Sequence, residues 1–189
     1  MTRVVVIASA SGSGKTTLGK ELARRFEVPF HELDALYHGP GWTEATPEEF
    51  LARVEPLLAE GGWVVDGAYR SKLGDLVLGK ADVVVWLDLP RRIWLPRLLR
   101  RTARRIVRRE ELWNGNRETV RSVLLSRDSL VLFALRTYPR NLRRYPTELA
   151  PYPTVRLRTP AAVARWLDDY SSSAISAAAR AAPSVSTGR

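Results

Sequence analysis

Cysteine is absent from the 189 residues, which excludes a disulfide scaffold and any thiolate-ligated zinc or iron–sulfur site. A reducing, cytoplasmic setting is the expectation. Histidine is nearly absent too, with two residues, and neither stands in a carboxylate or cysteine pattern of metal-ligand spacing. Long apolar runs are also missing. Val4 to Ala8 is too short for the core of a signal peptide, and Val83 to Leu89 has the length of a strand. Neither approaches the roughly 20 apolar residues that a membrane-spanning helix needs. The chain is therefore expected to be soluble, without a membrane partner. It contains no internal repeat, and its length suits one α/β domain able to bury its own core.

Acidic charge is the other scarcity, and it is local. The formal net charge is +10, and between Arg91 and Arg144 sixteen arginines face only four acids (Glu110, Glu111, Glu118 and Asp128), with no lysine among them. Guanidinium groups stay ionised and match phosphate geometry, so this half calls for an anion. ATP with a phosphorylated acceptor, a nucleic acid, and plain solvent around a charged helix face all satisfy it.

Short β-branched runs alternate with longer helical patterns. Arg3 to Ser9, Pro29 to Leu33, Trp63 to Asp66, Asp82 to Leu89 and Thr154 to Arg158 read as buried strands. Such alternation predicts an α/β fold, a doubly wound parallel five-stranded sheet in three layers. Thr46-Pro47-Glu48-Glu49 supplies an N-cap, a proline at the first helical position and a capping-box glutamate, which predicts a helix from Pro47 towards Ala59 with a bend at Pro56. Thr159-Pro160 opens a last helix whose Val163, Trp166 and Leu167 share a face and which is expected to end near Tyr170. The Ser/Ala-rich remainder, 171–189, has little to bury and reads as a disordered tail after a 1–170 domain.

The decisive segment is Ser9-Ala10-Ser11-Gly12-Ser13-Gly14-Lys15-Thr16-Thr17, between the first strand and a helix running to about Phe26. Gly12 and Gly14 let the backbone curl until several N–H groups point inward, and the following helix N-terminus adds its positive end. Phosphate oxygens of ATP fit that nest, cradled by Ser11 to Gly14. Lys15 reaches the β- and γ-phosphates, the Thr16 hydroxyl is placed as a Mg²⁺ ligand, and Thr17 holds the α-phosphate. Against G-x-x-x-x-G-K-[ST] the one departure is Ser9, where the pattern has its first glycine.

In this order, the phosphate loop, His31-Glu32-Leu33-Asp34, Trp63 to Arg70 (WVVDGAYR) and Val85-Trp86-Leu87-Asp88-Leu89-Pro90 resemble the adenylate kinase and shikimate kinase group of P-loop kinases. The resemblance covers about residues 3–170. More closely, the chain is similar to small bacterial proteins described as DNA topology modulation or adenylate kinase-like proteins. It implies Asp34 facing the loop across an acceptor cleft, where it holds the acceptor hydroxyl, acts as general base or binds a Mg²⁺ water. It implies Asp66 ordering Mg²⁺ through water and Arg70 gripping an anionic group of the acceptor. Arg97 and Arg101, four apart on one helix face, would enter a short lid at about 97–121 and stabilise the transferring phosphoryl group. Arg104, Arg105, Arg108 and Arg109 are weaker candidates. Arg158 and Thr159-Pro160 would line the base. In the acceptor segment, about 35–62, Tyr37, His38, Trp42 and Phe50 either stack on a planar acceptor or pack a small flap, and Trp113, Asn114 and Asn116 either contact ligand or cap a loop.

The function so implied is transfer of the γ-phosphoryl group of Mg-ATP to a small-molecule or nucleotide acceptor. An ATP-binding regulator associated with nucleic acid, and a kinase of nucleic-acid 5′-hydroxyl groups, are the alternatives that the arginine-rich half keeps open.

Overall fold

The computed structural model describes residues 2–116 and 129–181, the stretch 171–181 as backbone only. The far end of the expected lid (Arg117 to Arg121), Glu118, Asp128 and the end of the expected tail lie outside the described residues.

Five parallel strands form one sheet in the order β2-β3-β1-β4-β5. They are β1 (Arg3–Ala8), β2 (Phe30–Glu32), β3 (Trp63–Asp66), β4 (Val83–Leu87) and β5 (Thr154–Leu157). The doubly wound sheet expected from the alternation is therefore the one observed, each strand ending within a residue or two of its sequence pattern. Successive side chains of a strand point to opposite faces. Val4 and Val6 pack with Leu18 and Leu22 of α1 (Lys15–Phe26) and with Val163 and Trp166 of α8 (Pro160–Ala181). Val5 and Ile7 pack on the other face with Leu33 and Tyr37 of α2 (Leu33–Tyr37), Phe50 and Val54 of α3 (Pro47–Leu58), and Leu149. Both faces are covered, which is why the central strands read as unbroken apolar runs.

Local signals act where expected. Glu49 N–H donates to Thr46 Oγ1 (3.2 Å) and Thr46 N–H to Glu49 Oε2 (3.1 Å), closing the capping box at the start of α3. The last helix departs from expectation. Instead of stopping near Tyr170, α8 continues to Ala181, through an alanine-rich stretch whose backbone propensity sustains a helix with little to bury.

Between β3 and β4 lie two single turns, α4 (Arg70–Leu73) and α5 (Leu76–Gly79). A third apolar cluster sits above the C-terminal edge of the sheet. There Trp94 and Leu98 of α6 (Arg91–Val107) meet Ala134 of α7 (Leu130–Glu148) and Ala10 of the loop after β1. β1 has β3 on one side and β4 on the other, so the chain changes winding direction beside that loop, where open α/β sheets form their clefts.

Candidate active site

The loop after β1 has the conformation its glycines permit. Gly12 has φ +83° and Gly14 φ +92°, left-handed values that side-chain-bearing residues rarely adopt. At Gly12 there is a second reason: a Cβ would lie 2.7 Å from the Trp94 carbonyl oxygen and 2.9 Å from Leu98 Cβ. Gly14 caps α1 without side-chain help, so the first N–H groups of that helix remain for a ligand. Ser13 Oγ donates to the Ala10 carbonyl at 2.9 Å and is buried, bracing the loop from inside. Ser11 is half-buried and Thr17 is exposed.

Below the loop, two acidic side chains converge on Thr16. Register pairs Val6 of β1 with Asp66, and Asp66 with Glu32 of β2, so two carboxylates end neighbouring strands. Thr16 Oγ1 donates to Asp66 Oδ2 at 2.6 Å and lies 3.3 Å from Glu32 Oε1. The Lys15 ammonium is 3.5 Å from Asp66 Oδ1. Burial pushes the Asp66 carboxyl above the usual carboxylate range; Lys15 and the Thr16 hydrogen bond pull the other way, and the nearby charges of Asp34 and Glu32 add to the rise. A hydroxyl and two carboxylates beside a phosphate nest suit Mg²⁺, a hard cation that keeps several waters and shares its ligands with substrate phosphates. Among the described residues no three His, Cys, Asp or Glu side chains form a ready-made metal cage.

Asp34, in the first turn of α2, is held by Tyr69, whose phenol donates to Oδ1 at 2.6 Å. The Tyr69 ring stands 5.0 Å from those of Tyr37 and Phe50, and its backbone takes the left-handed φ of +45° after Gly67 at +100°. Burial, followed by the Asp34 charge, pushes the phenol well up, so it remains a donor at neutral pH. Asp34 thus has one oxygen engaged by Tyr69, and the residue as a whole is half-buried.

Other expected residues are placed differently. Arg70 turns to Asp75 (Nε to Oδ1, 2.9 Å) and to Glu148 (Nη1 to Oε2, 3.5 Å), because α4 points its side chain towards the end of α7. Neither contact involves Asp34 or Asp66. Tyr37 is buried, with its hydroxyl on Glu44 (2.5 Å), and Phe50 is fully buried: both pack the flap. Trp42 is exposed, its ring 5.6 Å from His38. Arg97 is exposed on α6, and Arg101 is half-buried one turn on. Arg158 lies 3.7 Å from Asp88.

The turn Trp113–Gly115 closes over the acceptor segment. Asn114 Nδ2 donates to the His38 carbonyl (2.6 Å), Asn116 Nδ2 to the Gly39 carbonyl (2.9 Å), and the Trp42 N–H to Asn116 Oδ1 (2.9 Å). The Trp113 indole N–H reaches Glu32 Oε2 at 3.2 Å. Sequence reasoning gave Glu32 no role, although an acid ending a strand beside the loop is the signal that singled out Asp66. It also missed Tyr69, whose approach to Asp34 depends on a backbone conformation that no residue pattern announces.

Many solved structures match this arrangement of elements, among them two shikimate kinases. Shikimate kinase from Bacteroides thetaiotaomicron superposes with a TM-score of 0.53 at 15% identity, over 92% of this chain and 98% of that one. Shikimate kinase from Acinetobacter baumannii, in complex with shikimate, gives 0.51 at 17% identity, over 95% and 94%. The fold is that of shikimate kinase. No family model matches the chain, and no curated protein matches it by sequence. Among the described residues no helix is long and apolar enough to cross a membrane.

Proposed function

We propose that this protein transfers the γ-phosphoryl group of Mg-ATP to a hydroxyl group of a small-molecule acceptor. The observation that carries the reading is the phosphate loop with Lys15 and Thr16 beside Asp66 and Glu32, together with Asp34, which Tyr69 holds by one oxygen and whose charge is close enough to act on Asp66. A fold shared with two shikimate kinases, one of them holding its hydroxyl-bearing acceptor, supports it.

The loop amides and the α1 N-terminus hold the β- and γ-phosphates, and Lys15 exchanges Asp66 for a phosphate oxygen. Thr16, with Asp66 and Glu32 behind it, would hold Mg²⁺, which when bound neutralises charge between the β- and γ-phosphates. Asp34 orients the acceptor hydroxyl and takes its proton as the acceptor oxygen bonds to the γ-phosphorus and the bond to the β-phosphate oxygen breaks, releasing ADP. Arg97 and Arg101, on the helix that rests against Gly12, stabilise the charge on the transferring group. Trp113, Asn114 and Asn116 close the acceptor side and exclude water.

A second reading has its own observation. Arg91, Arg92, Arg97 and Arg100 of α6 and Arg136, Arg140 and Arg143 of α7 are exposed, and make no ion pair among the described residues. Such a field suits a polynucleotide, whose binding would weaken steeply with salt. The likeness in motif order to DNA topology modulation proteins points the same way. Both readings meet in one experiment: ATP consumption with Mg²⁺ against hydroxy acids, sugars, nucleoside monophosphates and 5′-hydroxyl oligonucleotides. Stimulation by a hydroxy acid or sugar supports the first reading, and stimulation by nucleoside monophosphates alone replaces it with a nucleotide kinase. Salt-sensitive oligonucleotide binding without transfer favours the second.

A further inference from the structure

Ser9 stands where the phosphate-loop pattern has its first glycine, and it is fully buried. Its side chain is used twice. The Trp86 indole N–H donates to Ser9 Oγ at 2.8 Å, and Ser9 Oγ donates to Asp88 Oδ1 at 2.9 Å. Asp88, itself buried at the end of β4, receives the Arg156 fork on its other oxygen, at 2.9 Å from Nε and 2.6 Å from Nη2. The same guanidinium lies over the Trp86 ring, 4.1 Å from its centroid. The backbone of Ser9 is equally committed: its N–H donates to the Leu87 carbonyl (3.1 Å), and its carbonyl accepts from Asn141 Nδ2 of α7 (3.0 Å).

Every polar group of Ser9 is therefore tied to β4, to α7 or, through Asp88, to β5. A glycine here would leave a buried indole N–H and a buried carboxylate oxygen without their shared partner, a loss larger than that of an exposed hydrogen bond. The departure from the pattern thus belongs with Trp86 and Asp88 as one unit. With Ser13 bracing Ala10 from inside the loop, the curl is fixed at both ends before any phosphate arrives, and a pre-ordered nest binds without first having to be ordered.

We propose that Ser9 is a positioning residue for nucleotide binding, acting through the Trp86–Ser9–Asp88–Arg156 relay to hold the first turn of the phosphate loop in its binding shape. This rests on the phosphate-loop reading above. Asp88 is accordingly an anchor of the loop.

The test is equilibrium titration of the full chain with a fluorescent ATP analogue (mant-ATP) and Mg²⁺ at a temperature well below Tm, with Tm recorded separately for each variant. Ser9→Gly, which restores the pattern glycine, is expected to weaken binding about tenfold, and Trp86→Phe, which keeps a ring but removes the N–H, about threefold. A relay that merely stabilised the fold would lower Tm and leave affinity unchanged. Wild-type affinity in Ser9→Gly therefore overturns the proposal, and Trp86→Phe decides in the same way if Ser9→Gly does not fold. Lys15→Ala separates the two levels. If it and the wild type bind mant-ATP alike, the phosphate-loop reading falls; if it loses binding while Ser9→Gly does not, only the role of Ser9 falls.

Discussion

The two sides of the cleft are built by different means. At the loop after β1, the proposed nucleotide side, the chain curls over two positive-φ glycines, and Lys15 and Thr16 follow within two residues of Gly14. The geometry there is largely backbone and local. On the proposed acceptor side, segments more than seventy positions apart are joined by asparagine side chains bonded to main-chain groups, Asn114 to His38 and Asn116 to Gly39 and Trp42. Local curvature makes a site that sequence announces, whereas a tertiary clasp makes one whose partners are set by the fold.

The contrast can be broken at either side. If the proposed transfer is right, Lys15→Ala should reduce it by at least about a thousandfold while far-UV circular dichroism stays unchanged, because α1 and the sheet do not depend on the lysine's ion pair with Asp66. Retained turnover would mean that the loop is not the reacting end. Asp34→Asn should lower kcat by about a hundredfold with mant-ATP affinity intact, since the acceptor side acts on the hydroxyl. A matching loss of nucleotide binding would contradict an acceptor-side role for Asp34. Asn116→Ala removes two bonds of the clasp at a buried position; a rise of about fivefold in acceptor KM, with little change for ATP, is expected from losing roughly 1 kcal/mol of ordering. Amide exchange at 39–42 should quicken in the same variant.

The smallest effect is in pH. Burial holds Asp66 above the ordinary carboxylate range, so its protonated form persists to higher pH than a solvent-exposed aspartate would allow. Mg-ATP affinity should accordingly decline on acidification from a pH above that range. The folded state holds this proton more tightly than the unfolded chain does. Its contribution to stability is therefore greatest at low pH and declines as pH rises through the shifted value. Asp66→Asn should flatten both profiles.

Legibility in the sequence follows the same divide. The strands were legible because a sheet covered on both faces requires continuous apolar runs, as Val4 to Ile7 and Val83 to Leu87 show. The α3 start was legible because its capping box is complete within four residues. The resemblance implies Arg70 as an acceptor clamp, but the direction of its side chain depends on α4 and on Glu148, far along the chain. Tyr37 and Phe50 satisfied two descriptions, ring stack or flap core, and only packing separates these. The extension of α8 escaped notice because burial was the criterion and alanine needs none.

The contact between Gly12 and α6 also decides where the molecule can bend. A glycine at that point lets the Trp94 carbonyl and Leu98 rest directly on the phosphate loop, and Trp94 and Leu98 are fully buried. The first turns of α6 are thereby joined to the loop as one rigid piece. Any bending of α6 is therefore expected beyond Leu98, nearer Thr102, while the turns before it stay with the loop. A spin-label pair at the exposed positions 92 and 108 should then change separation on nucleotide binding, while a pair at the exposed positions 20 and 92 holds constant.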